Sequence, residues 1–406
     1  MRHAFKKKGR LRPSAGQVPT VGRSGKCTTS NRMVMSHLSK LRPLRLGAFL
    51  LAGLLSLASP SAALESSTGA LKVVAIASGL SEPWSIAFLP GGSILVTERG
   101  GRLLRISDGQ VHTINGVPKV AAVGQGGLLD VMVPRDFAQS REVFLSHAVQ
   151  QSTGQGTALG VGRLSQDGTR LEGFRRIFEM APGSRGGRHF GSRVVEGPDG
   201  HIFLTIGERG DRPAAQDLGT HNGTIIRLNR DGSVPADNPF VGQAGARPEI
   251  WSFGHRNPQG AALDLQGRLW VNEHGARGGD EVNLIRKGAN YGWPVISYGR
   301  HYSGAKIGEG TAKPGMEQPV HYWDPSIAPS GMMIYSGKLW PEWRDDIFSG
   351  SLKFGFLSRL DPDTGFSEER IEGPETGRVR DVREAPDGTI WFLSVTNGTV
   401  YRLSPG

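Results

Sequence analysis

Hydrophobic positions in this chain come in short bursts, each entered from a glycine- or aspartate-rich turn and left through a polar residue. The phrases are "PGGSILVTERGGRLLRI" from Pro90, "REVFLSHAV" from Arg141 and "PDGHIFLTIGE" from Pro198. They continue with "LQGRLWVNEHG" from Leu265, "WRDDIFSGSL" from Trp343 and "PDGTIWFLSV" from Pro386. Each burst is rich in β-branched or aromatic residues and too short for an amphipathic helix, so each predicts a strand. Their spacing, about one per 55–60 residues, exceeds a solenoid coil and suits one four-stranded sheet per repeat. Six such sheets around an axis predict an all-β fold, a six-bladed β-propeller with four-stranded blades. "LKVVAIAS" (Leu71 to Ser78) is placed to pair with "TVYRLSP" near the end of the chain and close the ring. A two-sheet sandwich is the alternative, but it gives no reason for regular spacing over so long a chain. No linker interrupts residues 64–406, which read as a single catalytic domain behind a leader of residues 1–63.

Charge changes the picture only at the leader. The whole chain has a formal charge of +11, which suggests a polyanionic partner. Residues 1–63 hold 12 Lys/Arg and no acid, leaving 36 basic and 37 acidic residues in the body. A body so close to neutral predicts no nucleic-acid partner. The leader contains a basic flank, an apolar run from Leu46 to Ala58 and small residues at Ser61 and Ala63. That pattern is a secretory signal peptide with cleavage near Ala63, and Met33 and Met35 are alternative starts. The apolar run is short for a membrane span of about 20 residues, so no stable insertion is expected after cleavage. The sole cysteine, Cys27, is in the leader, and a body without cysteine carries no disulfides. The expected location is periplasmic or secreted.

Candidate chemistry is concentrated in loops. "GQGGLLDV" (Gly124 to Val131), "RHFGSR" with "GERGDR" (Arg188 to Arg212), "FGHRNPQG" (Phe253 to Gly260) and "NEHGARGGDEVNLIRKGANYGWP" (Asn272 to Pro294) are too polar and glycine-rich to be turns alone. Lys353, Arg256, Arg378 and Arg380 come from loops that a propeller would bring to one axis, where several cations call for an anion such as a carboxylate or phosphate. Asp280, Glu281 and the carbonyls of a glycine-rich turn are hard oxygen donors suited to Ca²⁺. Glu273 and His274 invite a zinc reading, but no second histidine stands at ligand spacing. His189 is one of nine histidines in the body; beside glycines and arginines, with Glu208 one strand further on to orient it, it is a candidate general base.

Taken in order, "GQGGLLDV", "HFGSR", "WSFGHRNPQG", "NEHGARGGDEVNLIRKGANYGWP" and "RVRDV" resemble the soluble aldose sugar dehydrogenases that use pyrroloquinoline quinone, the glucose/sorbosone dehydrogenases. The resemblance runs from about Leu80 to Arg402 and implies a six-bladed propeller. It further implies that His189 is the catalytic base and that Arg256 and Asn257 lie beside the quinone oxygens, Arg256 stabilising charge there. Gln125 would touch the cofactor, and Lys353, Arg378 and Arg380 would bind its carboxylates. Two Ca²⁺ sites are implied: one on carbonyls of Gly275 and Ala276 against the cofactor, one structural on Glu281 and the Tyr291 carbonyl. The expected reaction is oxidation of an aldose at C1 to a lactone, with electrons passing to an external acceptor. Three positions depart from glucose-specific relatives: Arg188 replaces an acid, Glu208 an aspartate and Ala276 a proline, which leaves the sugar preference open. A calcium-dependent propeller lactonase and a non-catalytic sugar-binding propeller are the rival readings; the first has no use for the Lys353, Arg378, Arg380 cluster, and the second does not explain the His189, Arg256, Asn257 combination.

Overall fold

The structure, a computed structural model, describes residues 63–406. The expected signal peptide, with its apolar run, and Cys27 lie outside the described residues. Six antiparallel sheets follow one another along the chain, the strands of five of them in plain sequential order. The innermost strands are Pro83–Phe88, Leu128–Met132, Val194–Glu196, Pro258–Leu263, Pro329–Ile334 and Val379–Glu384, for blades 1 to 6. Each packs beside the inner strand of the next blade, and that of blade 6 returns to blade 1, closing a six-bladed propeller.

The recurring hydrophobic phrases all supply the second strand of a blade: Ile94–Glu98, Glu142–Gln151, Ile202–Ile206, Leu269–Glu273, Ile347–Ser351 and Ile390–Ser394. In five of the six, every residue is buried. A strand with a neighbour on each edge and a blade on each face has no side for water, so it opens on consecutive apolar residues and its polar residues, such as Thr97, Asn272 and Ser349, are buried too. The core is accordingly divided among the blade interfaces. Phe348, Leu357 and Ile371 of blade 5 meet Val379, Val382 and Phe392 of blade 6, and Leu95 and Leu103 of blade 1 meet Leu128 and Leu145 of blade 2.

Blade 6 joins the two ends of the described chain. Gly69–Ala77 pairs with Thr399–Pro405, Val73 opposite Leu403, as the sequence predicts. This blade also departs from the four-stranded expectation. Ala63–Ser66 adds a fifth, outermost strand with Leu64 opposite Leu71. The Leu64 side chain inserts among Ile371, Trp343 and Leu71, and that burial holds the extra strand in place.

Inner strands begin, and second strands end, on one face of the ring. That geometry brings the entering loops and the second-to-third-strand turns of all blades to one mouth. A further segment joins them there: residues 285–320, between the third and fourth strands of blade 4, climb far enough for Arg300 to exchange main-chain hydrogen bonds with Arg277 (2.9 and 3.0 Å). Among the described residues no helix is long and apolar enough to cross a membrane.

Candidate active site

A cavity of about 1160 Å³ opens on this face, and its walls contain nine of the eleven residues that the sequence singled out. His189, Gln125, Arg256, Asn257, Lys353, Arg378, Arg380, Gly275 and Ala276 all line it. Glu281 and Tyr291 do not; they line a small adjoining cavity that shares Arg256, His274 and Gly275 with the large one.

His189 sits on the loop that enters blade 3, in a backbone conformation that L-residues avoid (φ +57°). Its main-chain N–H donates to Gln125 Oε1 at 2.7 Å, and its Nδ1–H donates to Glu208 Oε1 at 2.8 Å. The second bond fixes the tautomer and leaves Nε2 as the free ring nitrogen. Burial, with the charges of Arg256 and Arg188 adding to it, holds the imidazole below its ordinary value against the pull of Glu208. Burial opposes ionisation of Glu208, but the bond to His189 and the charge of Arg256 outweigh it and hold the carboxyl low. The pair therefore rests as neutral imidazole and carboxylate, the state a general base requires. Glycine permits the approach: a Cβ on Gly207 would stand 2.1 Å from the His189 carbonyl oxygen. Arg209 clamps the same loop, its guanidinium 3.3 Å over the Phe190 ring and bonded to the Arg188 carbonyl.

Arg256 and Asn257 come from the loop entering blade 4. The Arg256 N–H donates to Glu273 Oε2 (2.6 Å) and its Nη1 to the His274 carbonyl (3.1 Å), while Nε is buried with no partner among the described residues. Glu273 is itself held by His255 Nδ1–H at 2.9 Å, whose far nitrogen meets Ser252 Oγ at the same distance. Asn257 Oδ1 accepts from the Gly191 N–H and from Gln259 Nε2, which leaves its NH₂ group for the cavity.

Lys353, Arg378 and Arg380 stand together on blades 5 and 6. Arg378 Nη1 donates to the Leu352 carbonyl (2.9 Å) and Arg380 Nη1 to Gln259 Oε1 (2.8 Å). None of the three has a carboxylate partner among the described residues. Burial, then the charges of Arg193 and Arg378, pull Arg380 down to about 9. Unpaired cations crowded in a cavity fit a polycarboxylate ligand, which would relieve both desolvation and repulsion. This donor set matches the quinone cofactor that the resemblance implies.

The donor set for cations is of another kind. Among the described residues no donor reaches the carbonyl of Gly275 or Ala276, both of which belong to the wall of the large cavity. In the small cavity, burial and the neighbouring Glu273 push the Glu281 carboxyl up to about 8. A buried and a half-buried carboxylate beside a polar gap, with no cationic side chain on Glu281, fit a bound divalent cation. Asp280 is used otherwise than as a ligand: its oxygens accept from the Gly275 and Ala328 N–H groups and from Ser326 Oγ, tying two loops together. His274 is likewise committed, its Nε2–H donating to the Pro329 carbonyl at 2.6 Å.

A model of the glucose/sorbosone dehydrogenase family matches residues 80–402. The chain belongs to that family. It is 43% identical to the aldose sugar dehydrogenase YliI of Escherichia coli over 355 residues, 85% of this chain and 96% of that protein. The crystal structure of the soluble E. coli aldose sugar dehydrogenase in its apo form superposes with a TM-score of 0.79 at 42% identity, covering 83% of this chain and 100% of the other. The PQQ-bound aldose sugar dehydrogenase of Streptomyces coelicolor superposes with a TM-score of 0.68 at 27% identity, covering 82% and 98%.

Several motif residues to which the sequence gave no role meet beneath the floor of this dehydrogenase-family site. Asp130 of "GGLLDV" accepts from Arg193 of "HFGSR" at 2.9 Å, and Asp381 of "RVRDV" forms an ion pair with the same guanidinium at 3.2 Å. Arg383 closes the square, 3.2 Å from Asp130 and 3.1 Å from Asp381. The two carboxylates also accept main-chain N–H groups of Val194 and Ile86. Blades 1, 2, 3 and 6 are thus tied at the axis by a buried, charge-balanced quartet, and Arg193 stacks 4.5 Å beneath Trp84 of the cavity wall. Repetition of Asp and Arg within the motifs was the available signal, but only closure of the ring pairs them.

Proposed function

We propose that the protein is a pyrroloquinoline-quinone-dependent aldose dehydrogenase that oxidises the C1 hydroxyl of a sugar to a lactone. The observation that carries this reading is the convergence of an oriented neutral histidine and three unpaired cations on one cavity. Lys353, Arg378 and Arg380 would hold the cofactor's carboxylates, with Gln125 and Asn257 contacting it. Bound there, the quinone supplies a two-electron acceptor for a hydride. His189 Nε2 removes the hydroxyl proton, and Glu208 stabilises the imidazolium that results. The Arg256 guanidinium stabilises negative charge as it develops. Gly275 and Ala276 would present carbonyls to a Ca²⁺ beside the cofactor, and Glu281 with the Tyr291 carbonyl would hold a structural one.

A lactonase or a plain sugar-binding propeller needs the fold but not the cation trio. Export to the periplasm or medium fits the basic leader with its apolar run, and turnover requires an external electron acceptor.

The test is reconstitution. Chelator-treated protein receives the quinone and Ca²⁺ separately and together, and aldose-dependent reduction of a dye is followed. Activity that needs both additions supports the reading. The His189→Ala variant should keep the cofactor bound yet lose about a thousandfold in turnover. Failure of the wild-type protein to bind the quinone would overturn the assignment, and normal turnover by His189→Ala would remove the base.

A further inference from the structure

The cavity wall is unbalanced in charge beyond what the cofactor explains, and this inference rests on the dehydrogenase reading. Arg99, Arg256, Arg277, Lys353, Arg378 and Arg380 line it against two carboxylates, Glu82 and Asp324. Glu82 is already spent on Arg99, with both oxygens within 2.7 Å of one guanidinium nitrogen. Three of the remaining cations answer to the cofactor and Arg256 to the reacting carbon. That leaves Arg277, which is exposed, with Asp324 as the one other carboxylate of the lining.

Three further arginines adjoin residues of the two cavities without belonging to the lining of the large one. Arg188 is exposed, immediately precedes the base, and lies against Gly210, where an added Cβ would meet its Nε at 2.9 Å. Arg212 stands 5.5 Å over the ring of Trp293, whose other neighbour is Arg256 at 5.2 Å. Arg300 is exposed and held to Arg277 by two main-chain bonds. Among the described residues none of these four guanidiniums has a carboxylate within ion-pair distance. A neutral sugar offers these guanidiniums hydroxyl acceptors but no counter-charge, and the charge beside His189 works against its basicity. An anionic group on the substrate would pair with them, and guanidinium forks suit carboxylate and phosphate alike.

We infer that the site favours aldoses bearing a negative charge remote from C1, paired by Arg188 and Arg277 at the mouth. Uronic acids and sugar phosphates share this chemistry. The reaction is unchanged: C1 gives up a hydride to the bound quinone and its hydroxyl gives up a proton, yielding the lactone of the acid or phosphate.

The test uses the full chain loaded with quinone and Ca²⁺. Methyl β-D-glucuronide and methyl β-D-glucoside have no free anomeric hydroxyl, so calorimetric titration reads binding without reaction. The glucuronide should bind about tenfold more tightly at low salt, with the advantage shrinking as salt is raised. Dye-linked kcat/KM for glucuronate and glucose 6-phosphate, each relative to glucose, then separates the two anion sources. Arg188→Gln and Arg277→Gln should each lower the charged-to-neutral ratio about threefold. Should either variant fail to fold, the salt dependence of the wild-type protein still decides. Equal binding of the two glycosides, or a preference indifferent to salt, overturns the inference. Turnover of glucose without any gain for the charged sugars overturns it too, and leaves the dehydrogenase reading standing. No turnover of any sugar counts against that reading instead, while the calorimetry still decides this one.

Discussion

Nδ1 of His189 has one partner, and that partner is the handle on the pH behaviour of the site. Activity through Nε2 needs the neutral ring, whose value burial and Arg256 already hold below 6.5, so kcat/KM should fall only on the acid side of that value. Glu208 is the group pulling the other way. Glu208→Gln should therefore move the acid limb to still lower pH, and cut kcat roughly 10- to 100-fold because the imidazolium loses its carboxylate. A limb that moved upward would show that Glu208 does not face the titrating ring. At this scale the sequence said much. His189 and the acid that its Nδ1 meets were readable from residue types and from the strand between them. Gln125 was readable only as a ligand contact; that its side chain also holds the main chain of the base depends on a fold that brings residues 64 positions apart together.

At the scale of strands and loops, the second strand of each blade was the most legible feature, since burial on both faces writes consecutive apolar residues directly after a turn. The inner strands were less so. They are mixed with polar residues and interrupted by bulges, as at Pro258 to Gly260 and Pro329 to Met332, because they deliver side chains to the axis as well as to the core. The fifth strand of blade 6 could not be read: Ala63–Ser66 is four residues with one buried side chain. Two loop predictions follow. Gly207→Ala places a methyl carbon against the His189 carbonyl, and should cost about 1–3 kcal/mol in denaturant unfolding as well as activity. An unchanged midpoint would mean that the two loops can separate freely.

Glu281 offers the second. Its folded-state value near 8 lies above the ordinary 4.5, so in cation-free protein the group's contribution to stability is complete below about pH 4.5 and is lost as pH rises through 8. Chelated protein should thus melt at lower temperature at pH 8 than at pH 6, with Ca²⁺ restoring the difference, whereas Glu281→Gln should show neither effect. A calcium response that persists in Glu281→Gln would place the ion elsewhere.

Over the whole molecule, the axial quartet of Asp130, Arg193, Asp381 and Arg383 is the point where four blades share charge. Asp381→Asn leaves two buried guanidiniums facing a single carboxylate, and should destabilise the protein by about 3–5 kcal/mol. Denaturant unfolding followed by tryptophan fluorescence would measure it, and a loss below about 1 kcal/mol would show that water reaches the axis. The ring also sets an order of events. Residues 71–77 and 400–405 are neighbours in one sheet, so the hairpin that 63–66 and 69–77 form first must wait with one edge open until the last strand emerges. A ribosome-bound chain holding five blades has neither a closed circle nor a finished cavity floor, because Arg378, Arg380 and Asp381 belong to the closing blade. Biogenesis is therefore late and all at once: cofactor capture follows release of the complete polypeptide, and truncation near the carboxyl end removes the site and the fold together.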